Sequence, residues 1–320
     1  MRFATLNNGS RDGRLAVISV DHARALNVEG VATLQALLDD WDRLLPQCRA
    51  AQQRVDAGQG DAFDPGAAMA PLPRAWQWLD GSAYPSHGEL MDQVLGIVPE
   101  KTGRPLMYQG LSDHFLSAHQ DVLFPDTALG IDFEGEFGVV LGEVAMGTPA
   151  HDCADAIRLV VQVNDWSLRA LAGPEMKTGF GWVQAKPACS MAPVALTTDA
   201  LGSAWTDRGV DLTLEVDWNG EPFGRAKGGG MAWSFAQLIA HAAATRRLPA
   251  GTIIGSGTVS NADFRHVGSS CIAERRGIEI VDTGAAKTAF LAFGDRVRME
   301  ARAGDGTPLF GAIDQRVIRS

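Results

Sequence analysis

IDFEGEFGVVLG, residues 131–142, alternates Asp132, Glu134 and Glu136 with Phe133, Gly135 and Phe137, then runs into an apolar segment. Side chains in a strand change face at every residue, so a strand here projects all three acids from one side. An exposed or edge strand would explain such charges as protection against aggregation. Phe133 and Phe137 on the opposite face favour burial, and the VVL run reads as a strand covered on both sides. A buried carboxylate face needs a compensating partner, because unpaired charge is costly to desolvate. Glu-x-Glu on a strand sets two oxygen donors side by side, half of a shell for a hard divalent cation.

Around this strand the chain reads as β-rich. LVVQVNDWSL, APVALT, GVDLTLEVDWNGEPFG, GTIIGSGTVS and DRVRMEARAGDG carry strand alternation or β-branched runs, and Asn219-Gly220 predicts a tight hairpin. HDCADAIRLVV and SFAQLIAHAAATRR read as helices at the periphery. Upstream, residues 2–6 and 14–28 read as short strands, followed by a helical stretch over 33–58 that Pro46 interrupts. The Gly-, Ala- and Pro-rich AGQGDAFDPGAAMAPLPRA is a connection, which puts a boundary near residue 70: a small N-terminal domain over 1–70 and a larger domain over 71–320. No Gly-x-Gly-x-x-Gly opens a helix, so a dinucleotide-binding fold is excluded.

The 320 residues carry a net charge of -10 and no long basic block, which argues against nucleic acid or an anionic membrane as partner. Four scattered cysteines without a C-x-x-C pair fit a reducing compartment, and the N-terminus lacks the apolar core of a signal peptide; the expectation is a cytoplasmic enzyme.

The other oxygen donors stand elsewhere in the chain. Asp165 ends the apolar LVVQVND run, where it could equally cap a strand, and Asp80 lies in WLDGSAYPSH, where it could equally serve a turn. Two Asp and two Glu without His or Cys suit Mg²⁺ or Ca²⁺ better than Zn²⁺. His87 follows Asp80 by seven residues; alone it could be a surface turn residue.

In this order the motifs resemble the fumarylacetoacetate hydrolase family from about residue 75 to the C-terminus. Glu134-Gly135-Glu136, Asn164-Asp165-Trp166-Ser167-Leu168-Arg169, Ser256-Gly257-Thr258-Val259-Ser260 and the Asp80/His87 pair carry the resemblance. It implies an α+β, predominantly β fold: the mixed β-roll of that family behind a small β-containing N-terminal domain. It implies a divalent cation (Mg²⁺, or Ca²⁺ or Mn²⁺) on Asp80, Glu134, Glu136 and Asp165; Asp132 shares their face without a counterpart among those ligands and reads as a supporting or structural group. It implies His87 as the base that activates water, with Glu274 orienting it, and Arg169 and Lys186 as donors to an oxyanion. Tyr108, Thr258 and Ser190 are the implied substrate-binding or water-ordering groups, and a homodimer is implied as well. The activity implied is hydrolysis of a carbon–carbon bond in a small β-dicarbonyl acid such as fumarylacetoacetate, in aromatic-compound or tyrosine breakdown. Acylpyruvate hydrolysis, decarboxylation or hydration of a 2-oxo acid, and a silent metabolite-binding homologue are the alternatives. Two positions depart from the hydrolases proper: Ala172 stands where they carry a glutamine, and Gly96 where they carry an arginine. His114 and His119 are candidates for replacement polar contacts.

Overall fold

Gly135–Leu141 is buried at every residue. It pairs antiparallel with Ile157–Asn164 on one edge and with Ile253–Gly255 on the other, so it is an interior strand. The computed structural model describes residues 1–96, 98 and 103–320. Among these the large sheet has twelve strands, and Trp78–Gly81 and Met107–Gly110 complete one side of it. Phe137, Val139 and Leu141 enter one apolar cluster and Val140 enters another. That is the two-sided burial the VVL run predicts, and alternation places Glu136 on the side of Val140.

The N-terminal strands Arg2–Leu6, Arg14–Ile18 and Arg24–Asn27 form an antiparallel meander whose first strand pairs with Ala195–Leu196. They are thus continuous with the large sheet through backbone hydrogen bonds. Leu34–Asp39 and Trp41–Asp56 bury Leu34, Leu37, Leu44, Cys48 and Val55 in the second cluster, together with Val140, Val161 and Val163. The helical stretch breaks at Asp40 (φ -141, ψ 49), and Pro46 sits inside the second helix. A proline there forfeits a single early-turn hydrogen bond, while a backbone outside the helical region ends the ladder altogether.

The second sheet contains Glu221–Lys227, Thr213–Trp218, Arg296–Arg302, Ile313–Arg319 and Val122–Phe124. Its hairpin turns at Asn219 (φ 54) and Gly220 (φ 84), the pair of positive φ values that a two-residue turn matching strand twist requires. HDCADAIRLVV yields only the short helix Ala150–Cys153 and a 3₁₀ turn before the strand begins at Ile157. Pairing with Gly135–Leu141 outweighs local helical spacing there. Ile272–Thr283, in contrast, is helical without a strong sequence signal: it buries only Ile272, Glu274, Gly277 and Ile278. A Cβ on Gly277 would come within 2.7 Å of Met91 Cε, so glycine lets this helix lie close against Pro85–Leu95, which carries His87.

No helix among the described residues is long and apolar enough to cross a membrane. Cys48, Cys153, Cys189 and Cys271 are free and buried.

Gly255 faces Asp80 across the parallel pairing of Ile253–Gly255 with Trp78–Gly81. A Cβ there would sit 2.2 Å from Asp80 Oδ1 and 2.3 Å from the Trp78 ring. Gly255→Ala should therefore destabilise the protein by about 1–3 kcal/mol in a denaturant titration. Gly88→Ala, in a helix with nothing within 4 Å, should instead stabilise it by about 0.5–1 kcal/mol.

Candidate metal centre and its flanking groups

The three acids of the opening stretch are all buried, and each meets a different backbone partner: Asp132 pairs with Ser167, Glu134 bridges to Cys271, and Glu136 pairs with Val163. The changes of partner fan the carboxylates into three environments rather than one flat row.

Glu136 points to Asp80, at the end of Trp78–Gly81, and to Asp165, just past Ile157–Asn164; one oxygen from each of the three lies within 4.8 Å of the others. Both Glu136 oxygens are buried without a protein partner. Burial, then the neighbouring Asp80 and Asp165, push its carboxyl well above the usual range. Asp80 is pushed up to about 8 by burial and by Asp165, although its Oδ1 accepts from the Gly257 N–H at 3.0 Å. Asp165 is better supplied: Tyr108 and Lys186 both donate to Oδ2 at 2.6 Å, and the Cys189 thiol donates to Oδ1 at 3.0 Å. An all-oxygen set that crowds like charges around an unpaired buried carboxylate suits a hard divalent cation.

Glu134 stands beside this group. Arg169 Nη2 donates to its Oε1 at 2.6 Å and Lys186 Nζ donates to its Oε2. Burial opposes its charge, but Arg169 and Lys186 outweigh that and hold the carboxyl below its ordinary range. Its carboxylate, the His87 ring and Cys271 Sγ also lie within 4.8 Å of one another. His87, on Pro85–Leu95, has its Nδ1 buried without a partner. Burial lowers its pKa to about 4, with Glu134 opposing and Arg169 and Lys186 reinforcing the shift, so the imidazole is neutral at neutral pH.

Asp132 is completely buried and turns away from the trio: it accepts from Arg169 Nε at 2.8 Å and from the backbone N–H groups of Ile272 and Ala273 at 2.7 and 2.9 Å. Glu274, in the first turn of Ile272–Thr283, accepts from the Ser260 hydroxyl, and its Oε2 is buried without a partner. No hydrogen bond joins Glu274 to His87 among the described residues; the carboxylate that reaches His87 is Glu134. Ser86, the residue before His87, donates to Ser260 at 2.9 Å, so two hydroxyls tie Glu274 to the helix that carries His87, not to its ring.

Tyr108 joins the centre through Asp165 and packs edge-on against Trp182 at 4.9 Å between ring centroids, and the Lys186 ammonium lies over both rings. Thr258 is buried in the loop after Ile253–Gly255. Ser190 pairs with Asn164 but gives its hydroxyl to Trp166 Nε1 as acceptor at 2.9 Å, away from the three acids' own contacts. His119 is exposed and His114 is paired with Asp113 at the surface; neither touches the carboxylates. Gly96 ends Pro85–Leu95 in a left-handed cap (φ 64), and the Ala172 carbonyl accepts from Trp182 Nε1 at 2.9 Å. Neither supplies the polar side chain that the family pattern has at its position.

Sequence reading passes over Trp182, Cys189 and Glu175. Glu175 accepts three backbone hydrogen bonds, from Val183, Gln184 and Ala185, and so folds the loop that delivers Lys186. The nearest signal is the position of Glu175 eleven residues before Lys186, too weak to separate a latch from a solvated charge.

The family model described as fumarylacetoacetate (FAA) hydrolase C-terminal matches residues 77–318, and that of fumarylacetoacetase N-terminal domain 2 matches residues 1–74. Among solved structures, the chain is similar to maleylpyruvate hydrolase from Sphingobium sp. SYK-6, with a TM-score of 0.67, 16% identity and 100% of each chain covered. It is similar to 5-carboxymethyl-2-hydroxymuconate delta-isomerase from Mycobacterium smegmatis, with a TM-score of 0.61, 18% identity, and 100% of this chain and 99% of that one covered. It is also similar to fumarylpyruvate hydrolase from Pseudomonas aeruginosa, solved with Mn²⁺ and pyruvate, with a TM-score of 0.56, 14% identity, and 82% and 94% of the two chains covered.

Mg²⁺ or Mn²⁺ at about one hundred times its dissociation constant should raise stability by roughly 2.7 kcal/mol, seen as a higher melting temperature. Glu136→Gln should abolish most of that rise. A second expectation concerns pH. Burial raises the Glu274 pKa from 4.5 to about 7, so between those values the folded protein holds a proton that the unfolded chain has released. Stability should therefore fall as pH rises through that window, and Glu274→Gln should flatten the slope in denaturant titrations between pH 5 and 8.

Proposed function

Given that the chain belongs to the fumarylacetoacetate hydrolase family, we propose that it is a metal-dependent hydrolase cleaving the carbon–carbon bond between the two carbonyls of a small β-diketo acid. The observation that carries this reading is Glu136: two buried, unpartnered oxygens beside Asp80 and Asp165, with a neutral histidine and two cations gathered on the adjoining Glu134. Asp80, Glu136 and Asp165 would hold the ion, with Glu134 beside them. A bound divalent cation supplies Lewis acidity toward the two oxygens of a 1,3-dicarbonyl.

The remaining tasks fall to the chain's own groups. Neutral His87 takes the proton of a water whose oxygen adds to one carbonyl carbon. Glu134 supports the imidazolium that results, as a carboxylate beside a general base does. Arg169 and Lys186 present hydrogen-bond donors toward the negative charge that develops on the attacked carbonyl oxygen. When the carbon–carbon bond breaks, its electron pair leaves with the departing fragment as an enolate, and a proton returned to carbon completes the two products. Tyr108, which donates to Asp165, and Thr258, next to the Gly257 whose N–H reaches Asp80, are the candidates to orient the substrate. The burial of the whole assembly strengthens each of these interactions.

The likeness to a maleylpyruvate hydrolase and a fumarylpyruvate hydrolase supports testing 2,4-dioxo acids first, next to fumarylacetoacetate. Ala172 and Gly96 bring no polar side chain to grip a substrate, and losing such groups changes selectivity more than it changes chemistry.

The test is loss of the ultraviolet diketone absorbance of fumarylacetoacetate and of a short acylpyruvate, with Mg²⁺ or Mn²⁺ and again with a chelator, with products identified. Metal-dependent cleavage into two fragments is the expected result. His87→Ala should lower turnover by about 10² to 10⁴ while leaving metal binding intact. Metal binding without cleavage of either compound would overturn the hydrolase reading.

A further inference from the structure

Asp132 is a fully buried carboxylate with no place in the Asp80–Glu136–Asp165 group. All of its hydrogen bonds run to two other parts of the centre. Oδ1 accepts from Ile272 N–H and Oδ2 from Ala273 N–H, the first two residues of Ile272–Thr283, whose initial N–H groups have no acceptor within the helix. Glu274 is the next residue. Oδ2 also accepts from Arg169 Nε, while Arg169 Nη2 donates to Glu134.

Capping alone does not account for this arrangement. The helix has its own N-cap in Cys271, whose Sγ accepts from the Glu274 N–H at 3.3 Å. Asp132 instead reaches the helix across 140 residues of sequence and brings a charge into a fully buried position. Such a charge is tolerated only where its partners are fixed. Here they are a guanidinium and the positive end of a helix dipole. The guanidinium is fork-shaped and planar, so fixing Nε on Asp132 also fixes the direction in which Nη2 meets Glu134. The helix, for its part, packs on Pro85–Leu95 and so on the element that carries His87.

We infer that Asp132 is a positioning residue for the reaction: one carboxylate locks the Arg169 guanidinium against Glu134, the carboxylate beside His87, and ties that pair to the first turn of Ile272–Thr283. This rests on the roles given to Arg169 and His87 under the proposed function. It adds a residue that touches neither substrate nor cation.

Asp132→Asn tests it. The amide is isosteric but offers one acceptor oxygen to three donors, and its NH₂ must face at least one of them. With the substrate that the wild-type protein cleaves, kcat should fall about 10- to 100-fold, the scale of a small misplacement of catalytic groups. KM should move less than about threefold, and metal affinity by calorimetry should stay within about threefold of wild type. The decisive measurement is a double-mutant cycle with Arg169→Lys. If Asp132 acts through Arg169, adding Asp132→Asn to Arg169→Lys should cost less than about twofold more. Multiplying losses in the double variant would overturn the inference. So would a folded Asp132→Asn with kcat within about twofold of wild type, and so would a metal affinity lowered more than about tenfold, which would make Asp132 part of the cation site. If Asp132→Asn melts too low to assay, Asp132→Glu, which keeps the charge and lengthens the arm, is judged by the same criteria. A wild-type protein that cleaves no diketone counts against the proposed function; failure of the inference is read only where wild type is active.

Discussion

Like charge, buried, is the constraint around which this protein is organised. Asp80, Asp132, Glu134, Glu136 and Asp165 are all at most 5% exposed and converge on the end of one interior strand. Carboxylates in such a place must be paired, protonated or bound to a cation. The structure answers unevenly. Arg169 serves Asp132 and Glu134, Lys186 serves Glu134 and Asp165, and Tyr108 and Cys189 add donors to Asp165. Glu136 is left with no donor at all. The contrast between well-supplied Asp165 and unsupplied Glu136 sets the candidate cation site on one side, with neutral His87, Arg169 and Lys186 gathered around Glu134 on the other.

The fold exists in that form because several backbones approach closely at one point. Gly135–Leu141 supplies Glu136, Ile157–Asn164 leads into Asp165, and Trp78–Gly81 supplies Asp80 through a parallel pairing with Ile253–Gly255. The two apolar clusters on either face of the sheet hold these strands in register, so the carboxylates cannot relax apart. Less regular pieces are fixed individually: Glu175 gathers the loop before Lys186, and Gly277 lets the helix behind Glu274 press against the one carrying His87. The carboxylates therefore sit on paired strands, while Lys186 and His87 come from separate, individually fixed elements.

Ala172 and Gly96 contribute backbone rather than side chain. Gly96 serves as a left-handed helix cap, and Ala172 offers only its carbonyl to Trp182. The same Trp182 packs against Tyr108 and under the Lys186 ammonium, so aromatic packing borders the centre on that side.

Much of this was legible in the sequence, for a specific reason. Alternation and apolar runs report burial directly, so Gly135–Leu141 as a doubly covered strand, the Asn219-Gly220 hairpin and the presence of short N-terminal strands, though not their pairing, could be read from local residues alone. The motifs also marked which residues belong near one another: Asp80, Glu134, Glu136, Asp165, Arg169, Lys186 and Tyr108 do meet. What the sequence could not decide was who pairs with whom. Alternation places Asp132, Glu134 and Glu136 on one face only if the strand keeps one partner, and here the partner changes from Ser167 to Cys271 to Val163. Nor could it show that Glu134 is the carboxylate beside His87, while Glu274 bonds to Ser260 instead. It also placed the helix break at Pro46 rather than Asp40 and carried a helix through 157–161, where the strand Ile157–Asn164 has already begun. The sequence by itself determined which residues must leave water, because that depends on each side chain's own hydration. Only the tertiary structure decided which charge answers which, because that depends on distances between elements far apart in the chain.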